Sequence, residues 1–199
     1  MLNEYSLLFV DVKGGHMKKY LAMIQCLFLV AMASACTTIY KTAVDERSVK
    51  KIASDTEIKA KILAKFVDDD IVKTLDISTA CYYGHVYLVG EYETEKRKKR
   101  AIEIAKKTEG VKTVTAYLLP KKKGGPCGTK DNITITAKVK GKLIKDKDIW
   151  STNIDVKTVQ CNVVLVGIVG SKEEIRKAIA HAKSVEGVRS VKSFLKSAH

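Results

Sequence analysis

The sequence predicts an α+β protein made of two tandem copies of one module. Each copy reads α-β-β-α-β, with two helices on one face of a three-stranded mixed sheet. Three observations carry this. The stretch TEGVKTVTAYL at 108–118 returns 77 residues later as VEGVRSVKSFL at 185–195. At the same offset VYLVG (86–90) falls on VVLVG (163–167), and thirteen positions across 86–118 are identical. Upstream, Ile58, Ile62 and Phe66 meet Ile135, Val139 and Leu143. Self-similarity at one period marks an internal duplication. Compensating two-residue length differences are expected between these blocks, in the loop before the first strand and in the hairpin.

Each element follows from its periodicity. Ile58, Ile62 and Phe66 recur every four residues, which gives one apolar helical stripe. Asp55 stands where an N-cap belongs. LDIST (75–79) and VYLVG alternate around a turn near Gly84, the pattern of a hairpin. The next helix is opened by Thr94, or by Ser171 in the second copy. Ile175, Ala178, Ile179, Ala182 and Val185 form its buried face, and Gly110 or Gly187 closes it as a C′ residue. Residues 111–119 and 188–195 are the last strands. Strands joined through a helix run parallel with a right-handed crossover. The modules are assigned to 55–120 and 131–199, with KKKGGPCGTK (121–130) as the linker. At about 65–70 residues each, they have room for only small cores.

The front of the chain is an address. Residues 17–36, MKKYLAMIQCLFLVAMASAC, hold a positive start at Lys18-Lys19, a run from Leu21 to Met32 that is apolar apart from Gln25, and small residues before Cys36. About 12 apolar residues are too few for a membrane span, which needs roughly 20, and suit a signal peptide. The small-small-Cys ending resembles a bacterial lipobox, with Ala33 where most lipoboxes have Leu or Val. That resemblance implies a lipoprotein signal over 17–35 and a covalent diacylglycerol and acyl chain (palmitate) on Cys36, with no other cofactor. Thr37, rather than Asp, at the next position implies sorting to the periplasmic leaflet of the outer membrane. Residues 36–54 are then a tether. Residues 1–16 do not fit a signal peptide and are expected to be a misassigned upstream extension, with translation starting at Met17.

The order of an LVG strand, a helix and an EGV..V turn into the last strand resembles the BON domain. A lipobox, then DERSV (45–49), then two such domains, is similar to the dual-BON outer-membrane lipoproteins of Gram-negative bacteria, with osmotically induced periplasmic BON proteins as looser relatives. The resemblance covers residues 17–199 and rests on structural motifs rather than catalytic ones. It implies non-enzymatic binding of an anionic phospholipid membrane, chiefly by the second domain, in support of envelope integrity under stress.

The charge distribution agrees with that implication. The net charge of +14 draws the chain to anionic partners. Residues 41–120 carry a net +3 and residues 121–199 a net +10. Around the Ile135-Val139-Leu143 stripe, Lys138, Lys142 and Lys145 lie along one flank and Lys140 and Lys147 along the other. Ile133 precedes this helix and Ile149-Trp150 follow it. Trp150 is either a membrane-boundary anchor or core. Ile133 takes the place where lipid-binding relatives carry an aromatic. A tether of about 18 residues, roughly 25 Å as a random coil, would hold such a face near headgroups. The alternative partners are an envelope protein or lipopolysaccharide phosphates. Nucleic acid is opposed by the signal and by the lack of aromatics interleaved with the lysines.

No nucleophile motif, zinc pair or phosphate loop occurs, and an enzyme is not expected. His181 reads as a packing or surface residue. Asp68-Asp69-Asp70 lacks the glycine and spaced ligands of a calcium loop and reads as a solvated loop. Beyond Cys26 and Cys36, the cysteines are Cys81, Cys127 and Cys161. Three pairings are open, and none is selected by the sequence.

Overall fold

The computed structural model describes residues 48–72, 76–122, 124 and 127–198. The upstream extension, the signal, Cys36 and most of the tether lie outside the described residues. In chain order the elements are α1 (Val49–Asp68), β1 (Ile77–Tyr82), β2 (His85–Tyr92), α2 (Glu95–Lys106), β3 (Thr113–Pro120), α3 (Thr129–Lys145), a single 3-10 turn (Ser151–Asn153), β4 (Ile154–Val159), β5 (Asn162–Val169), α4 (Lys172–Lys183) and β6 (Ser190–Ser197). Each sheet has its hairpin partner and its crossover partner on either side of a central strand. The orders are β1-β2-β3 and β4-β5-β6. β1–β2 and β4–β5 are antiparallel, and β2–β3 and β5–β6 are parallel. The α-β-β-α-β module is therefore present twice. The 77-residue offset runs unbroken from α1 through β3: Ile77 maps to Ile154 and His85 to Asn162, so the expected two-residue length differences do not exist.

Two apolar cores fill the modules. One joins Ile58, Ile62 and Phe66 to Val86, Leu88, Ala101 and Ala105. The other joins Ile135, Val139 and Leu143 to Val163, Leu165, Ala178 and Ala182. The second helices are capped as the sequence indicates: Thr94 Oγ1 accepts from Arg97 N (3.2 Å) and Ser171 Oγ from Glu174 N (3.1 Å).

Asp55 is not an N-cap. α1 starts six residues earlier, after Ser48, and Asp55 is buried in mid-helix. Its carboxylate accepts from Tyr83 N and Gly84 N, both at 2.8 Å, and from the Cys81 thiol at 3.3 Å. It thus ties the first helix to the β1–β2 turn. Tyr83 and Gly84 have φ of 55° and 78°, as a two-residue type I′ hairpin turn requires. Asn132 does the same work 77 residues on: its Oδ1 accepts from Cys161 N at 3.0 Å. There the turn residues Gln160 and Cys161 also have positive φ, 49° and 61°. Cysteine in that conformation costs about 1 kcal/mol or more relative to glycine. A disulfide from Cys161 to Cys127, with Cα atoms 5.9 Å apart, adds a covalent tie at this point. Closing a loop of 34 residues stabilises by roughly 4 kcal/mol in the chain-entropy picture.

Gly110 and Gly187 are also placed differently from the expectation. The helices end at Lys106 and Lys183, and each glycine lies in the following turn at φ 84° or 87°. The LVG glycines have a steric role. A Cβ at Gly90 would come within 2.0 Å of Asp76 O, and one at Gly167 within 2.1 Å of Asn153 O.

With helices on one face, each sheet leaves its other face open, and the modules close these faces on each other. Tyr87, Val89, Val159, Val164 and Val166 are buried in this seam, with Ala80, Tyr82, Tyr117, Leu119 and Phe194 around them. β2 meets β4 and β1 meets β5, contacts that interchange when the modules are swapped, so the pairing is nearly two-fold. Hydrogen bonds cross the seam from Tyr82 Oη to Asp155 Oδ2 (2.9 Å) and from Gln160 Nε2 to Glu91 Oε1 and Pro120 O (both 2.8 Å). At its margin the His85 ring stacks on Tyr87, with centroids 4.3 Å apart. Burial, and then the nearby Lys196, push the His85 pKa below its usual value.

Asp55 serves two backbone amides of its turn and Asn132 only one, with a disulfide beside it. Asp55→Ala should therefore cost about 3 kcal/mol and Asn132→Ala about 1 kcal/mol, read from urea midpoints of the oxidised protein. Equal losses would contradict the assigned roles.

Candidate functional site

α3 packs Ile135, Val139 and Leu143 into the core and turns its opposite side to solvent. Gly128 N donates to Asp131 Oδ2 at 2.8 Å to start the helix. At 100° per residue, Ile133, Ala137, Gly141 and Ile144 form a strip on the outward side. Ile133 is 65% exposed and Ile144 70%. Lys138, Lys142 and Lys145 border this strip on one side and Lys140 on the other. The helix is thus apolar inside and carries a second, narrower apolar strip outside, framed by ammonium groups.

Most of the sequence-derived residues come together here. Lys138, Lys140, Lys142, Lys145 and Ile133 all project from the exposed part of α3. Lys147 does not belong to the helical flank, because the helix ends at Lys145 and Lys147 lies in the following turn. Of the pair Ile149-Trp150, Ile149 is core, 6% exposed, while the Trp150 side chain is half exposed and its backbone amide donates to Glu174 Oε1 at 2.8 Å. Trp150 is therefore not a core residue. Ile144 was missed. It is neither on the core stripe nor charged, and only the angular position it shares with Ile133 marks it.

The same surface of α1 carries acids that the α3 surface lacks. Lys61 Nζ sits 2.8 Å from Glu57 Oε1 and 3.0 Å from Glu109 Oε2. The hydrogen bond that Lys61 donates to Glu57, then that to Glu109, hold Lys61 above the usual lysine pKa, and Lys61 in turn lowers that of Glu57. At the 77-residue offset Glu57 becomes Thr134, Asp68 becomes Lys145, Asp70 becomes Lys147 and Thr56 becomes Ile133. The acids near the C-terminal end of α3 face away to α4: Asp146 Oδ2 meets His181 Nε2 at 2.7 Å, and Asp148 pairs with Lys177. Among the described residues, Lys138, Lys140, Lys145 and Lys147 form no ion pair, and Lys142 Nζ donates to Ser184 Oγ at 2.8 Å.

Other chemistry-bearing groups are occupied structurally. Asp69 Oδ1 accepts from Ile71 N and Val72 N, both at 3.0 Å, and its Oδ2 pairs with Arg100 at 2.8 Å. Partial burial raises the Asp69 pKa, but Arg100 and the two amides outweigh it and leave it low. The middle of the three aspartates is thus a turn cap rather than a solvated side chain. Among the described residues no group of three His, Cys, Asp or Glu side chains is arranged to hold a metal ion, and no helix is long and apolar enough to cross a membrane.

Comparison with known proteins adds the lineage of this arrangement. The family model described as the BON domain matches twice, over residues 54–119 and 131–198. Osmotically-inducible protein Y of Escherichia coli (strain K12) is 33% identical over 157 residues, covering 76% of this chain and 78% of that protein. The 21 kDa hemolysin of Actinobacillus pleuropneumoniae is 25% identical over 158 residues, covering 79% of this chain and 74% of that protein.

The Asp146–His181 contact gives a pH dependence. The hydrogen bond from His181, followed by that from Asp148 N, holds the Asp146 carboxyl below its ordinary pKa. A carboxyl lowered in the fold contributes stability that is present above its unfolded pKa of about 4 and lost as pH falls through the folded value. The melting temperature should therefore drop on acidification through this range, and less steeply in Asp146→Asn. An unchanged slope in that variant would contradict the assignment.

Proposed function

Because the chain belongs to the BON-domain family, we propose that it is a non-enzymatic, envelope-associated binding protein. In this reading it is anchored to the periplasmic leaflet of the outer membrane through Cys36, and its second module docks on anionic phospholipid. The single observation that supports this best is α3. Its outward strip of Ile133, Ala137 and Ile144 is framed by lysines that have no acidic partner among the described residues, whereas on α1 Lys61, the counterpart of Lys138, is paired with Glu57 and Glu109 and the counterparts of Lys140 and Lys145 are Leu63 and Asp68.

The strip and the lysines act together. Each lysine near an anionic leaflet contributes roughly 1 kcal/mol, so Lys138, Lys140, Lys142 and Lys145 give weak, salt-sensitive attraction. Ile133, Ile144 and the half-exposed Trp150 add apolar contact at the headgroup boundary, where Trp is favoured. Weak docking suffices for a tethered module, because the tether converts it into an intramolecular step at high effective concentration. The proposed role is adhesion or sensing at the leaflet, in support of envelope integrity under stress.

Co-sedimentation of residues 41–199 with liposomes tests this. Binding should require anionic lipid and fall at high salt. Lys138→Glu, Lys142→Glu and Lys145→Glu together should weaken it at least 100-fold, since three contributions of about 1 kcal/mol are removed or reversed. Ile144→Asp should weaken it about tenfold. A wild-type fragment that ignored anionic liposomes would overturn the lipid reading in favour of an envelope-protein or lipopolysaccharide-phosphate partner. Incorporation of labelled palmitate, lost in Cys36→Ala, checks the anchor separately.

A further inference from the structure

A second region differs between the copies in a way the α3 surface does not explain. Between α1, β1 and the neighbouring β4 lies a cleft of about 300 Å³. Leu63, Phe66, Val67 and Ile77 give it an apolar lining, and Lys59 from α1 and Lys157 from β4 contribute two cationic side chains. Neither lysine forms an ion pair among the described residues, and no acidic side chain lines the cleft.

Thr79 is the decisive residue. It also lines the cleft, is 6% exposed, and its Oγ1 is buried without a hydrogen-bond partner. A buried hydroxyl left unpaired is costly and uncommon. The fold does not require it, because the equivalent position of the second module is Val156, which is buried in that core. The corresponding cleft of the second module, lined by Lys140, Leu143, Ile144 and Ile154, contains Asp155 where the first has Ser78. It therefore presents a carboxylate where the first module has a hydroxyl. The second cleft balances Lys140 against the Asp155 carboxylate, which accepts from Tyr82 Oη, whereas the first has two ammonium groups, an unpaired hydroxyl in its wall and no acid.

We propose that the α1–β1–β4 cleft is a binding site for a single-chain amphiphile with an anionic head group, the head held by Lys59, Lys157 and the Thr79 hydroxyl and the chain by Leu63, Phe66 and Val67. The cleft is at the small end of ligand pockets, which selects one chain over two. A fatty-acid carboxylate and an alkyl phosphate share this chemistry. The site uses none of the lysines assigned to membrane docking, so it stands or falls separately from that reading.

Titration calorimetry of the delipidated full chain with dodecanoate, dodecyl phosphate, dodecanol and inorganic phosphate, all below micellar concentrations, tests it. At least one of the two anionic amphiphiles should bind one-to-one and at least tenfold tighter than dodecanol, and inorganic phosphate alone should not bind. The tighter of the two identifies the head group. Lys59→Gln with Lys157→Gln should weaken that ligand at least tenfold. Thr79→Val, which installs the residue of the second module, should weaken it several-fold while the melting temperature is kept or raised. The Lys138/Lys142/Lys145 reversal should leave it unchanged. Equal affinity for dodecanol, or unchanged affinity in both cleft variants, would overturn the proposal, as would loss of binding only in the α3 variant.

Discussion

The modules cannot stand alone as they are built, because each covers only one face of its sheet with helices. The central strands are apolar on both faces. Val86 and Leu88 point to the helices of their own module, while Tyr87 and Val89 point away, and all four are nearly inaccessible. Burying that second face requires another sheet, and the duplication supplies one with matching residues at Val164 and Val166. Sheet-on-sheet pairing therefore decides which surfaces remain. With the sheet faces used up, the helices and strand edges are what the protein can present to anything else.

That constraint explains why function is sought in the differences between the copies. The modules share cores, caps and hairpin ties, and these cannot distinguish them. On α1 the charge of Lys61 is cancelled locally by Glu57 and Glu109. On α3 a few substitutions at matching positions remove the acids and add lysines. The second module also gained the Cys127–Cys161 bridge, which fixes the segment leading into α3 to the β4–β5 turn. The helix with the outward lysines is thus also the one whose start is held covalently.

Much of the fold was legible because duplication repeats its own evidence. A helix read once from Ile58, Ile62 and Phe66 is read again from Ile135, Val139 and Leu143. The misreadings concern polar residues with long-range partners. Asp55 resembles a cap because aspartate is common at helix starts. Its distance of three from Ile58 places it on the buried stripe, where a carboxylate needs partners, and they come from a turn 28 residues away. Asn132 at the same offset carried the same message. The apolar runs VYLVG and VVLVG held a further clue, since a strand apolar on both faces is covered on both. At the candidate site the lysines were legible as a pattern. Ile144 was not, because an isoleucine beside a leucine reads as core until the helix is set in place.

The central claim is that the outward surface of α3 and the adjoining turn meet anionic lipid, and Trp150 is the direct reporter because it is the only tryptophan in the chain. Its emission should be recorded as vesicles of neutral and then anionic phospholipid are added, with brominated acyl chains as depth quenchers. A blue shift and quenching are expected with anionic vesicles alone, reversed by high salt. Vesicle binding with the Trp150 emission unchanged and unquenched would contradict it, because the protein would then be docking through another surface.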